Sequence, residues 1–271
     1  MAISTLQNTF EQQFSLWVLY FFAYAFVGWL WESAYVSVRK RHWVNSGFLI
    51  GPIIPVYGFS MAAVLAVIEP FENNLVVLYL LSALLVTLIE YVTSWLMEQL
   101  FHARWWDYSD VPLNINGRVA IPISLFWGVG VVLIVKFIQP LVAHLVLYLA
   151  VHYGIFMVIG LIAILMFDFG FTLANVIAFG AATKRIGDAI EDKKGELKAK
   201  VADTGAKLEH EHAWLEAFRA NTGEREQLPN LNFVQRRLLR SFPHLRLNNT
   251  RTSVKDISAL AELRKRLAQR K

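Results

Sequence analysis

From Phe14 to Ala182 the chain is a near-continuous series of long apolar runs separated by short polar segments. No other feature limits its folding so strongly. A helix needs roughly 20 mostly apolar residues to cross the hydrocarbon core of a bilayer. Inside lipid, only helices and closed barrels satisfy their own backbone. Five runs reach or approach that length: Phe14–Val38, Gly51–Ile68, Leu75–Leu100, Val119–Ile138 and Gly154–Ala182. The second is short and interrupted near its start by Pro52 and Pro55. Leu141–His152 is apolar but too short to cross, and between Pro140 and Gly154 it reads as a helix lying in the interface. The expected fold is therefore all-α: a polytopic membrane helix bundle with five transmembrane helices, an interfacial helix and a cytoplasmic helical tail. Residues 14–182 form the transmembrane domain and 183–271 the basic tail.

Charge supports this division. The chain is 56% hydrophobic, with a mean hydropathy of +0.42, too apolar for an ordinary soluble domain. Residues 1–181 hold six Lys and Arg against nine Asp and Glu; the remaining twenty basic and twelve acidic residues lie in the tail. A basic tail beside a membrane meets anionic headgroups sooner than nucleic acid, so lipid is the expected partner and nucleic acid is not. Loop charge sets orientation. Arg39, Lys40 and Arg41 follow the first run, Arg104 and Arg118 the third, and Lys184 and Arg185 the fifth, while Glu69–Asn74 carries acids only. That alternation puts the N-terminus outside and the C-terminus inside the cell membrane. MAISTLQNTFEQQ lacks a basic n-region and a small-residue cleavage site, so the first run reads as retained. With no Cys, thiol chemistry and disulfides are excluded.

The tail reads as soluble helix. Ile190, Leu197, Val201, Leu208 and Leu215 recur at helical spacing, although Lys194, Thr204 and Glu211 fall on the same seam. Glu224–Asn232 reads as a linker. Phe233–Phe242 is basic and apolar together, which suits a membrane surface. Ser253-Val254-Lys255-Asp256 has capping-box spacing before a last helix.

Candidate chemistry gathers on the cytoplasmic side. Counting back from Arg39, Glu32 lies about 10 Å inside the first run, and Glu90 about 22 Å below the outer end of the third. Both acids fall at one depth beside the polar aromatic loop Arg104–Arg118, and ionisable groups at such depth mark functional sites; the alternative is that they pair with Arg118 or accept hydrogen bonds from Trp and Tyr donors and simply lock the helices together. Asn45, Tyr57, Asp107, Asn114 and Arg118 complete the candidate binding site. The glycines and prolines from Asn45 to Gly58, the helix start after Arg118 and Arg118 itself offer a cradle for a phosphate or carboxylate. A divalent cation on Glu98, His102 and Asp107 is a minority reading, since Glu98 and His102 share a helix face. Glu98 and Asp168 otherwise read as helix-locking groups, and Trp105 with Trp106 as an interface belt. No P-loop, H-E-x-x-H or G-x-S-x-G motif is present. No cofactor is expected.

The combination Gly28-Trp29-Leu30-Trp31-Glu32, Asn45-x-Gly47-Phe48-Leu49-x-Gly51-Pro52-x-x-Pro55-x-Tyr57-Gly58, Glu90-Tyr91, Glu98, Phe101, Trp105-Trp106-Asp107-Tyr108-Ser109 and Asn114-x-x-Gly117-Arg118 resembles the bacterial family catalogued as putative ABC-transporter type IV, the CmpB-like permeases. The resemblance covers roughly residues 14–181. Ser46 departs from it, standing where a basic residue is expected. The resemblance implies a multi-pass cell-membrane protein with a transport role. An ATPase would be a separate subunit, and a homodimer is compatible with so small a bundle. The alternatives are a membrane-embedded enzyme acting on a lipid or headgroup, with Glu90 or Asp107 as base and Arg118 as oxyanion stabiliser, and a non-catalytic assembly protein.

Overall fold

The computed structural model describes residues 10–68, 71, 73–204, 213–221, 223, 228–242, 245–248 and 250–268. Residues 1–9 of the N-terminal reading, Glu69 and Glu72 of the acidic loop, Leu208 and Glu211 of the tail seam and residues 224–227 of the linker lie outside these. The described residues are mostly helical, with four two-residue strands among them. It packs as two units. The first is Met1–Trp95 with Asp107–Thr172; the second is Leu96–Trp106 with Leu173–Lys271.

The first unit contains α1 (Phe10–Lys40), α2 (Pro55–Ile68), most of α3 (Leu75–Phe101), α4 (Ile121–Leu133), a π-turn (Ile134–Ile138) and the start of α5 (Gln139–Thr204). Its core is a cluster of Leu19, Tyr24, Met61, Val64, Leu78, Val131, Val146 and Val158, among others. Helices approach closely where glycine removes a side chain. A Cβ at Gly28 would stand 2.3 Å from the Tyr57 ring, and one at Gly58 2.6 Å from the Phe21 carbonyl. The α1–α2 contact therefore depends on both.

Among the described residues, three helices are long and apolar enough to cross a membrane: Phe10–Lys40, Leu75–Phe101 and Ile121–Lys200. Only 28%, 17% and 6% of their most apolar windows is buried inside the protein. Surfaces that apolar and that open belong in lipid; this is a membrane protein. The expected second span is the 14-residue α2, about 21 Å long and short of a 30 Å hydrocarbon core.

Leu141–His152 does not form a separate interfacial helix. It continues from α4 through the π-turn into α5. Pro140 cannot donate to the carbonyl four residues back, and its ring crowds that carbonyl. The wider π-turn immediately before it absorbs the misfit, so the helix continues. The chain breaks instead at Gly154, where φ 49° and ψ −138° interrupt the helical dihedrals.

In the second unit, α5 continues beside α6 (Ala213–Ala220), α7 (Phe233–Ser241) and α8 (Val254–Ala268). Strand β1 (Ala103–Arg104) pairs antiparallel with β4 (Arg246–Leu247). Trp105 is not an interface residue: it is 3% exposed and stacks edge-on against Phe242 at 4.9 Å. Nor does α7 offer an apolar face to a membrane. Val234, Leu238 and Leu239 are buried, because folding the tail on itself leaves this stripe nowhere better to go. Asn232 and Gln235 cap α7 reciprocally. At the start of α8, Ser253 Oγ accepts the Asp256 amide, but the Asp256 carboxylate bonds Lys194 instead of closing the box.

Candidate functional site

The site grows from three helices and two loops of the first unit. Glu32 lies on α1, seven residues before the point where Arg39 and Lys40 end that helix. Its Oε1 accepts the Ser46 hydroxyl at 2.6 Å, and its Oε2 the Tyr57 hydroxyl at 3.4 Å. Tyr57 reaches it because Gly28, one turn before Glu32, clears room for the ring. Trp127 of α4 closes the other side of Tyr57, edge to face at 5.6 Å. Glu90 on α3 accepts the Tyr108 hydroxyl at 3.2 Å. Tyr57 lies within electrostatic reach of Glu32, Glu90 and Tyr108 together. Glu32, Tyr57 and Glu90 thus belong to one group of half-buried acids and phenols, to which Ser46 and Tyr108 must be added.

Tyr108, in the loop after α3, has its phenol pushed well above its ordinary range. Burial is the main cause, followed by the charge of Glu90, the hydrogen bond to Glu90 and the charge of Glu32. It is therefore a committed donor to Glu90. Ser46 is fully buried, and its backbone amide donates to Ser33 Oγ at 3.1 Å.

The other expected residues build the loops that carry these groups. Asn45 accepts from Trp29 Nε1 and donates to the Ile50 carbonyl, both at 2.7 Å, tying the loop between α1 and α2 to α1. Asp107 accepts the Ser109 amide at 3.0 Å. Asn114 donates to the Val111 carbonyl and accepts the Gly117 amide. Strands β2 (Asn114–Ile115) and β3 (Val119–Ala120) pair antiparallel around Asn116 and Gly117, both at positive φ, as an Asn-Gly turn of this hand requires. The turn delivers Arg118, 8% exposed, over the ring of Tyr91 at 5.8 Å. Tyr91 in turn accepts from Asn116 Nδ2 at 3.2 Å.

Part of the expected anion cradle is filled from within. Asp168 Oδ1 accepts the Ile50 amide at 3.0 Å and Oδ2 the Gly51 amide at 2.7 Å, while Thr172 donates to Oδ1 at 3.1 Å. Other amides of the loop are paired within the protein too. Val44 donates to Ser37 Oγ and Ile54 to the Ala25 carbonyl. Such accounting is what irregular backbone needs where water is excluded.

The cation reading of Glu98, His102 and Asp107 also changes. Among the described residues, no group of three or more such side chains is placed to hold a metal. Glu98 instead accepts Arg104 Nε at 3.0 Å and Asn248 Nδ2 at 2.8 Å. His102, at φ 50°, ends α3 in the left-handed conformation.

Sequence reasoning missed Ser46, Tyr108 and the reach of Asp168. The first had a signal: it is the position that departs from the family pattern. The family described as Putative ABC-transporter type IV matches residues 19–173, and the chain belongs to it. That stretch includes Glu32, Ser46, Tyr57, Glu90, Tyr108 and Asp168. No curated protein and no solved structure matches the chain.

Proposed function

We propose that this chain is the membrane-embedded permease subunit of a transport system in the cell membrane, with a polar site opening toward the cytoplasm. The observation that carries this reading is the pairing of two carboxylates with hydroxyl donors: Glu32 with Ser46 and Tyr57, and Glu90 with Tyr108. Acids held by neutral donors keep their capacity to take a proton or an amine, which acids locked in ion pairs lose. Five crossings fit the helices: α1, α2 with its preceding loop, α3, the arm from α4 to Tyr153, and the arm of α5 after Gly154. The loop before α2 then completes a crossing that α2 alone is too short to make. The N-terminus lies outside and residues 183–271 in the cytoplasm. The chain carries no ATPase motif, so an ATPase would be a separate subunit docking on the basic cytoplasmic loops or the tail.

Thermal-shift titration of purified protein with a series of alkylamines, across pH, tests this. The expected result is a ligand-dependent stabilisation that disappears in Glu32→Gln and Glu90→Gln while both variants still melt cooperatively. Stabilisation that survives both substitutions, or that depends on Arg118→Ala alone, overturns the acid site.

A further inference from the structure

The sequence of α8 sets Leu260 four residues before Arg264, and Ala261 four before Lys265. Residues four apart share a helix face, so an apolar turn is followed there by a basic one. That face borders a cavity of about 410 Å³ in the second unit. Sites for small molecules run from about 300 to 1,000 Å³. Residues 228–231 form another wall of the cavity, and Ile186 of α5 and Arg236 of α7 complete it.

Arginine side chains hold the wall in place. Arg264 Nη1 donates to the Leu228 carbonyl and, at 2.7 Å, to the Pro229 carbonyl. Arg236 Nη1 donates to the Leu231 carbonyl. Arg236 directly follows Gln235, which caps α7 with Asn232, so the turn that starts this helix also sets Arg236. A carbonyl oxygen accepts a hydrogen bond without cancelling a charge. The contact therefore orients Arg236 while leaving its charge in place. The lining divides by chemistry. Ile186, Leu231 and Leu260 are buried and make an apolar floor. Arg236, Arg264 and Lys265 are half-buried around it. Among the described residues no carboxylate lines the cavity. Glu262, next to Ala261, pairs with Arg240 and Arg266.

We infer that this cavity binds an organic phosphate, its phosphate group held by Arg236 and Lys265 and its carbon portion resting on Ile186, Leu231 and Leu260. The planar fork of a guanidinium suits phosphate oxygens, and a Lys ammonium adds a point charge. A phosphate monoester carries about two negative charges near neutral pH, which matches two cations drawn from separate helices. A carboxylate carries a single charge and would leave one cation unmatched. Inorganic phosphate satisfies the cations but leaves the floor wet, whereas an ester covers both. The same chemistry occurs in soluble phosphate esters and in the headgroup of an anionic lipid. None of these residues belongs to the Glu32 and Glu90 site, so loss of either site leaves the other standing.

The test titrates purified full-length protein in detergent by calorimetry. The probes are phenyl phosphate, dihexanoylphosphatidic acid, inorganic phosphate and benzoate. At least one of the two esters should bind, and more tightly than inorganic phosphate or benzoate. Binding of phenyl phosphate assigns the site to a soluble ester, and binding of the short-chain lipid alone assigns it to a headgroup. Ala261→Phe, which puts a ring into the cavity and spares every cation, should abolish binding. Lys265→Gln and Arg236→Gln should each weaken it about tenfold. Arg236 also holds the Leu231 carbonyl, so Lys265→Gln carries the test should Arg236→Gln fail to fold. Binding of neither ester, binding that survives both Ala261→Phe and Lys265→Gln, or equal binding of benzoate would overturn the site.

Discussion

The Gly51 amide donates to Asp168 Oδ2 at 2.7 Å, and a Cβ on residue 51 would sit 3.0 Å from that same oxygen. A helix carboxylate and a loop glycine 117 positions apart are thus fitted to one another. Asp168→Ala leaves the Ile50 and Gly51 amides without their acceptor, and each such loss costs about 1–3 kcal/mol. Asp168→Ala should therefore lower the melting temperature of the purified protein clearly more than Asp168→Asn, which keeps one acceptor. Equal melting of the two variants would show that the amides find other partners.

The α1–α2 contact gives a sharper steric case. A Cβ at Gly28 meets Tyr57 Cγ at 2.3 Å and Tyr57 Cβ at 2.5 Å, so rotating the ring does not relieve it. Gly28→Ala should cost about 1–3 kcal/mol or more, the range for overpacked contacts. Tyr57→Ala in the same chain should recover part of this, since the two residues are directly coupled. Additive losses in detergent unfolding would argue that the helices separate instead.

The Tyr108 phenol titrates above its ordinary range in the folded protein, chiefly through burial and the neighbouring Glu90. The unfolded phenol loses its proton near pH 10. Above that pH the folded state holds a proton that the unfolded state has shed, so stability falls as pH rises. Below it, Tyr108 adds no slope. Tyr108→Phe should therefore flatten the decline in melting temperature above about pH 10. An unchanged alkaline slope would mean that the phenol ionises in place.

In the second unit Lys194 bonds Asp256 at 2.8 Å and lies over the Trp214 ring at 5.6 Å. Its side chain is 29% exposed and that of Asp256 21%, so solvent screens the pair. Lys194→Met should cost about 0.5–1 kcal/mol at low salt and less in high salt. A loss indifferent to salt would place the contribution in packing on Trp214 instead.

The helices were legible because twenty-odd apolar residues in a row leave a chain few options. That Glu32 and Glu90 belong near one another was legible too, from the helical rise and a reference charge, and both lie within electrostatic reach of Tyr57. What escaped was everything set by partners distant in sequence. Ser46 and Tyr108 are a small hydroxyl and a loop aromatic, and nothing local tells such residues from filler. Asp168 was read as a helix lock, but its target was not visible, because loop amides leave no trace in composition. Leu141–His152 was misread because Pro140 usually stops a helix; the π-turn that rescues it has no sequence mark. Lys194 looked like a flaw in a hydrophobic seam and proved to be the anchor for Asp256 on α8.

Gly154 also fixes an arithmetic of residue number. It restarts the helix at a set angle, and Asp168 must then arrive facing Ile50 and Gly51 fourteen positions later. One residue added or lost in that interval turns Asp168 by about 100° and shifts it by about 1.5 Å, which removes it from both amides. Substitutions between Gly154 and Asp168 are therefore free to accumulate on the outward faces. Insertions and deletions are not: the segment tolerates spelling changes but keeps a fixed length.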